Sequence, residues 1–399
     1  VVAYTMSHTA LVNVDAAVTS KLIAFVAALT GDAESDFTAQ CNAQSQPFQV
    51  LQTLLTKTDL ILALENGKDA EGCFQAMVAV LNSDVNNNDD EAKFIQTMIS
   101  SLTASDEHHT VLNVLVSVFN LLRSSSSKFQ VLKALFSYAT KSGNANLVSN
   151  FESKVPDWVS KWGLTVAEQR ELFFLTADTL FATDQNPRAL FFLTQFLATF
   201  NTGETYPQDV VEVATKAVVS AVKAPVSFHK GRNDLSKTIA GRVTSDAILL
   251  KLIELLRIFC TGTVEEYSKF HGSNKDLFSK FDLCHETSLK NMRLLGLCVL
   301  AARSTTSASS SQVLAYSDIA KALDVSSDED VEEWVVEAIS HGLLDATMDQ
   351  LNSAIVVSRC VRVSFEHEEW VTLQEKLMAW KNNLNSVLEV MKNHQKNQQ

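Results

Sequence analysis

The sequence predicts a mostly α-helical fold: a right-handed, TPR-like helical-repeat solenoid, then a winged-helix subdomain, then one C-terminal helix. Three observations carry this. The 399 residues include only 12 Gly and 5 Pro, well below the roughly 7% and 5% of ordinary usage, so few positions can break a helix. Amphipathic segments recur in pairs roughly every 35–40 residues, the spacing of helical repeats. The stretch Gln312–Ser358 reads as strand, helix, turn, helix, hairpin, the order of a winged helix. The expected division is 1–105 and 106–283 for the helical repeats, 284–365 for the winged helix, and 366–399 for the terminal helix and tail.

Taken in order, Val12–Leu29 is an amphipathic run ended by Gly31, and Phe48–Leu64 is closed by Asn66-Gly67. Gly72–Leu81 leads into the acidic, Asn-rich loop Ser83–Asp90. Ala92–Leu102 and His108–Leu122 follow, the second stopping at the serine run Ser124–Ser127, and Phe129–Tyr138 ends near Gly143. Thr165 and Glu168 form a capping box for a helix reaching Phe181. Asn186-Pro187 is an N-cap with proline at the first helical position, opening Arg188–Phe200. Pro207 opens a helix through Val222, Pro225–Asn233 reads as irregular, and Ala247–Phe259 and Glu286–Arg303 are helical. The tract Ser304–Ser311 is read as a flexible loop.

In the winged helix, Val313 and Leu314 are extended, and Ser317 caps a helix carrying Ile319, Ala320 and Leu323. Ser326 and Glu329 suggest a capping box for the next helix, whose apolar stripe is Val331, Trp334, Val335, Ala338 and Ile339. Gly342 suits the C′ position. Leu343–Met348 and Ala354–Val357, joined by the polar turn Asp349–Ser353, form the hairpin. The second helix would present Asp328, Glu329, Asp330, Glu332, Glu333 and Glu337, with no Lys or Arg before His341. Nucleic-acid affinity comes largely from cations neutralising phosphate, so this face repels a duplex and is expected to meet protein instead.

The terminal helix places Trp370, Leu373, Leu377, Trp380, Leu384, Val387 and Met391 at alternating spacings of three and four, a heptad seam. Following a complete domain and carrying two tryptophans, it is expected to form a bundle with helices of other chains. Packing back on its own winged helix is the alternative.

The net charge of −13 argues against a general nucleic-acid-coating role. Six dispersed cysteines without a C-x-x-C pair read as reduced core thiols of a cytoplasmic protein. The start VVAYTMSHTALVNVD lacks the pattern of a signal peptide, and no apolar run approaches a membrane span. No phosphate loop, dinucleotide fingerprint or nucleophile elbow occurs. His285-Glu286 and His367-Glu368 each lack the second histidine of a zinc helix. No catalytic residue, metal or cofactor is expected.

Helical repeats running into an acidic winged helix and a terminal helix resemble the PCI-domain family. Within it the chain is similar to the family of M subunits of the eukaryotic translation initiation factor three complex. The stretches that carry this are VLNVLVSVFNLL (Val111–Leu122), KFQVLKALFSYATKSG (Lys128–Gly143), WVSKWGLTVAEQRELFFLTADTLF (Trp158–Phe181), LLKLIELLRIFCTGTVEEYSKF (Leu249–Phe270), KNMRLLGLCVLA (Lys290–Ala301) and LMAWKNNLNSV (Leu377–Val387). The first hundred residues match only in being helical. The resemblance implies a non-catalytic scaffold whose winged helix lies beside those of other PCI subunits and whose terminal helix joins a bundle with PCI and MPN subunits. It would reach the small ribosomal subunit and mRNA through the complex. In that picture the wing residues Leu344, Ala346, Met348, Ile355 and Val357 meet a neighbouring winged helix, while Trp370–Met391 enter the bundle. A subunit of the COP-nine signalosome would share this architecture. A nucleic-acid-reading winged helix is the alternative of another class.

Overall fold

Few glycines and prolines leave the chain free to run in helices, and the computed structural model shows it doing so. The structure describes residues 16–30, 47–64, 67–84, 88–200, 206–240, 246–261, 263–304, 312–363 and 367–397. Two compact units divide between Phe192 and Leu193. Most of the expected loop at Ser304–Ser311, and the start of the helix expected from Val12, lie outside the described residues.

In the first unit the helices are α1 (Ala16–Thr30), α2 (Pro47–Leu55), α3 (Thr58–Leu62), α4 (Gly67–Asp84), α5 (Asn88–Thr103), α6 (His108–Leu121), α7 (Ser125–Lys141), α8 (Val155–Trp162) and α9 (Val166–Ala182); α10 (Asn186–Ala198) contains the dividing point. Helix α4 packs on α6, α6 on α7, α5 on α7 and α7 on α9. That is the layering of helical repeats, with Phe74, Phe94 and Phe136 filling the spaces between. The capping box is present: Glu168 N donates to Thr165 Oγ1, and Thr165 N donates to Glu168 Oε2 at 2.8 Å.

Three local expectations change here. The single helix expected over Phe48–Leu64 is two, because the Thr56 and Thr58 hydroxyls donate to the Thr53 and Leu55 carbonyls, both at 2.7 Å, and compete with the helical ladder. Helix α6 ends at Leu121, just before the serine run, as expected, but the run itself belongs to the next helix, expected to start only at Phe129. Ser124 takes an extended N-cap conformation and Ser125–Ser127 open α7, at a helix start, where serine is least costly. At α10 the Gln185 carbonyl accepts from Arg188 and Ala189, so Asn186 is the first helical residue rather than the cap.

The second unit continues with α11 (Gln208–Lys223), α12 (His229–Ala240), α13 (Ala247–Thr261), α14 (Val264–Ser273), α15 (Lys275–Lys280) and α16 (His285–Ser304). The stretch expected to be irregular, Pro225–Asn233, holds a 3-10 turn and the start of α12. The winged helix adds β1 (Gln312–Ala315), α17 (Tyr316–Leu323), α18 (Asp328–Ser340), β2 (Leu344–Asp349) and β3 (Ala354–Cys360), and α19 (His367–Asn397) follows. Its strands form an antiparallel sheet in the order β1-β3-β2.

Two caps shift register. Helix α17 starts straight from strand β1, with extended Ala315 as its cap, so Ser317 lies inside it. Ser327, not Ser326, caps α18, accepting from Asp330 N at 3.1 Å. Gly342, at φ 67°, ends α18 as expected. Leu343 N donates to Ala338 O at 3.0 Å and Gly342 N to Ile339 O at 2.9 Å, closing a Schellman motif that only a left-handed residue permits.

Candidate functional site

The winged helix encloses its own apolar side chains. Val331, Val335 and Ala338 of α18 are buried against α16, together with Ile319 and Leu323 of α17. Arg293 of α16 locks the arrangement. Its Nε donates to the Leu323 carbonyl at 3.1 Å, and its guanidinium lies 5.4 Å from the Trp334 ring centre. Trp334 and Ile339, expected in the buried stripe, are half-buried at its edge.

The wing divides differently from expectation. Leu344, Ile355 and Val357 are buried, so their side chains belong to this core. Of the five wing residues singled out, Met348 is exposed and Ala346 half-buried. Between the pairs Asp345–Arg359 and Ala346–Val357 the register skips Ser358, so the extra, unpaired residue belongs to β3, and Ile355 and Val357 on the same strand turn inward. The sheet order leaves β2 at a margin, with its outer backbone edge unpaired among the described residues.

Most of the acidic face of α18 is exposed as expected, with two exceptions. Glu332 is half-buried and accepts from Tyr316 Oη at 3.1 Å and from Gln350 Nε2 at 2.9 Å. Glu337, also half-buried, pairs with Lys290. Burial, then the bond and charge of Glu332 and the charges of Asp328 and Asp349, hold the Tyr316 phenol above its ordinary range.

Helix α19 behaves in the opposite way. Among the described residues no other element packs extensively along it. Its seam is open throughout, from Leu373 at 38% exposure to Trp380 at 69%, with Trp370, Leu377, Leu384, Val387 and Met391 between. Val371, Met378, Leu388 and Val390 are exposed as well, and they widen the stripe beyond a strict heptad seam. At 31 residues the helix is about 46 Å long. It is an amphipathic helix whose apolar stripe is exposed along its length.

Sequence reasoning missed the root of this assembly. Arg232 of α12 is 1% exposed; its guanidinium donates to the Ala221 and Ala224 carbonyls at the end of α11 and lies 5.5 Å from the Phe259 ring centre. Burial lowers its pKa to about 10. The next residue, Asn233, donates to the Val363 carbonyl beyond strand β3. Consecutive side chains thus brace the end of a repeat and the segment that leads into α19. Asn and Arg in a polar stretch give no inward signal, so only tertiary structure reveals them.

The cysteines also sort. Cys73, Cys260 and Cys298 are buried core thiols, while Cys284 is exposed at the start of α16. There the Thr287 backbone N–H, the Thr287 hydroxyl and the Glu286 N–H hold its thiol below the usual range. Among the described residues no group of three His, Cys, Asp or Glu could hold a metal ion, and no helix is long and apolar enough to cross a membrane.

Comparison with known proteins agrees with this geometry. The family described as "PCI domain" matches residues 265–359, and the one described as "eIF3 subunit M, C-terminal helix" matches 364–391. The chain is 30% identical over 289 residues to "Eukaryotic translation initiation factor 3 subunit M" of Aspergillus clavatus, covering 70% of this chain and 59% of that protein. The protein of the same name from Aspergillus fumigatus is 32% identical, covering 70% and 60%. That from Dictyostelium discoideum is 26% identical over 336 residues, covering 82% and 80%. The chain thus spans about three fifths of the fungal relatives it matches.

Proposed function

From the premise that this chain is a PCI-domain protein resembling subunit M of the eukaryotic translation initiation factor three complex, we propose that it is a non-catalytic scaffold subunit of that complex. It works in the cytoplasm, and residues 106–283 and 284–365 serve as the two halves of its PCI module. The observation that supports this most is the open seam of α19. Seven apolar side chains, Trp370, Leu373, Leu377, Trp380, Leu384, Val387 and Met391, are exposed on one helix. Left open, such a stripe is an aggregation hazard. Burying it contributes on the order of 10–15 kcal/mol gross, offset in large part by the cost of ordering and association.

The natural occupants of the seam are helices of PCI and MPN subunits. The edge of strand β2, with Met348 and Ala346, would meet a neighbouring winged helix. Through the complex the chain would support binding of the small ribosomal subunit and recruitment of mRNA, without touching nucleic acid itself. The decisive experiment pairs Trp380→Ala with Leu384→Ala. The double variant is expected to be lost from the purified complex while the first unit and the winged helix keep their circular dichroism and melting temperature. Undiminished co-purification would show that α19 is not the joint.

A further inference from the structure

The bundle and the wing edge leave helix α18 without a task, although its outer face is the most unusual surface of the winged helix. Glu329, Glu333, Val336 and Ser340 follow at spacings of four, three and four and so share one stripe. Val336 is 52% exposed at its centre. Gln350 donates to both carboxylate oxygens of Glu332, at 3.1 and 2.9 Å, which pins the wing tip one helical turn from Val336. Next to Gln350, Leu351 is 98% exposed. The turn that presents it is fixed, because Asn352 donates to Asp349 from both its backbone N and its Nδ2, at 3.3 and 2.7 Å.

On the same helix stand Asp328, Glu329, Asp330 and Glu333, and on the wing turn Asp349; none of them has an ion pair among the described residues. The helix dipole accounts for the acids of the first turn. It does not account for Glu333, a like charge one turn from Glu329, which costs helix stability. Glu337, by contrast, is neutralised by Lys290.

We infer that the face made by α18 and the wing tip docks a basic amphipathic segment of a partner protein. Apolar side chains of that segment rest on Val336 and Leu351, and its lysines or arginines sit on the carboxylates. Charge complementarity selects this occupant. Phosphate would be repelled, and a second copy would set acid against acid in a chain of net charge −13. The helix position that reads a duplex in other winged helices would here read protein.

The test places a photo-crosslinking amino acid at Val336, and separately at Leu351, in the full chain with α19 unaltered, and irradiates the native assembly. Both positions are expected to link to one protein segment, carrying Lys or Arg around an apolar residue. Yield should fall about tenfold in Glu329→Lys with Glu333→Lys. It should also fall as salt rises from about 0.1 to about 0.5 M. A link to RNA, to a second copy or to a neutral or acidic segment would overturn the inference, as would no link at all. A yield indifferent to the charge reversal would overturn it too. Because α19 stays native, loss of this contact is distinct from loss of the bundle.

Discussion

Ile355, Val335 and Leu344 in the winged helix are all but inaccessible, whereas every described side chain of α19 from Trp370 to Met391 is exposed. Both regions use amphipathic helix or strand, and both concentrate leucine, valine and tryptophan. They differ in where the complementary surface lies. The winged helix finds it within the chain, in α16 and the returning strands, so its apolar residues contribute to folding. For α19 the proposed scaffold role places it on partner helices, so its apolar residues would contribute only once those partners arrive. A scaffold subunit is expected to separate the two in this way: the part that must keep its shape alone is self-sufficient, and the part that joins others is left incomplete.

Paired substitutions can break this comparison. In the isolated chain, Ile355→Ala removes a fully buried side chain and is expected to cost about 2–5 kcal/mol of stability. Trp380→Ala removes a larger side chain and is expected to stay within about 0.5 kcal/mol of the parent. Urea unfolding followed by circular dichroism reads both. If Trp380→Ala destabilised the isolated chain as Ile355→Ala does, α19 would be packing on its own chain and the distinction would fail.

How much of this was legible in the sequence follows from the range of the forces involved. The seam of α19 and the stripe of α18 are local periodicities, so Trp380 and Val335 could be placed on helix faces without knowing what they meet. Gly342 was legible for the same reason, since a left-handed helix end is a local demand. The inward wing residues were not. Strand alternation alone allows either face, and which one turns in depends on the packing of the sheet against the rest of the winged helix. Arg232 was hidden for a stronger reason. Its burial depends on carbonyls 8 and 11 residues away and on a ring from another helix, while hydropathy reads any arginine as surface.

Arg232 sharpens the comparison by a somewhat smaller expected effect, since it tests whether the root of the second unit is as self-sufficient as its winged helix. Arg232→Ala vacates a buried volume and leaves two carbonyls without donors, at an expected cost of about 3 kcal/mol. Arg232→Met keeps the stem and removes the buried charge together with its desolvation cost, so it should cost less. Thermal unfolding of the two variants gives the order. Equal losses would mean that the hydrogen bonds, rather than the packed stem, hold α11 to α12.

The smallest effect expected is on pH dependence, and it separates the two regions by chemistry rather than packing. At the root of the winged helix the His271 and His285 rings stack with centres 3.8 Å apart, and His285 Nδ1 is 3.1 Å from Tyr267 Oη. Burial first, then the charges of His285 and Lys275, lower the pKa of His271 from 6.5. As pH falls past 6.5, the unfolded chain takes up this proton before the folded one does. Stability is therefore full above that value and declines below it. His271→Gln should flatten the decline in a series of urea titrations at stepped pH. The seam of α19 carries no titratable side chain at any of its seven positions, so partner binding through it should be unchanged between about pH 7 and about pH 6. A complex that came apart over that interval while His271→Gln held it together would mean that the winged helix, not α19, governs assembly.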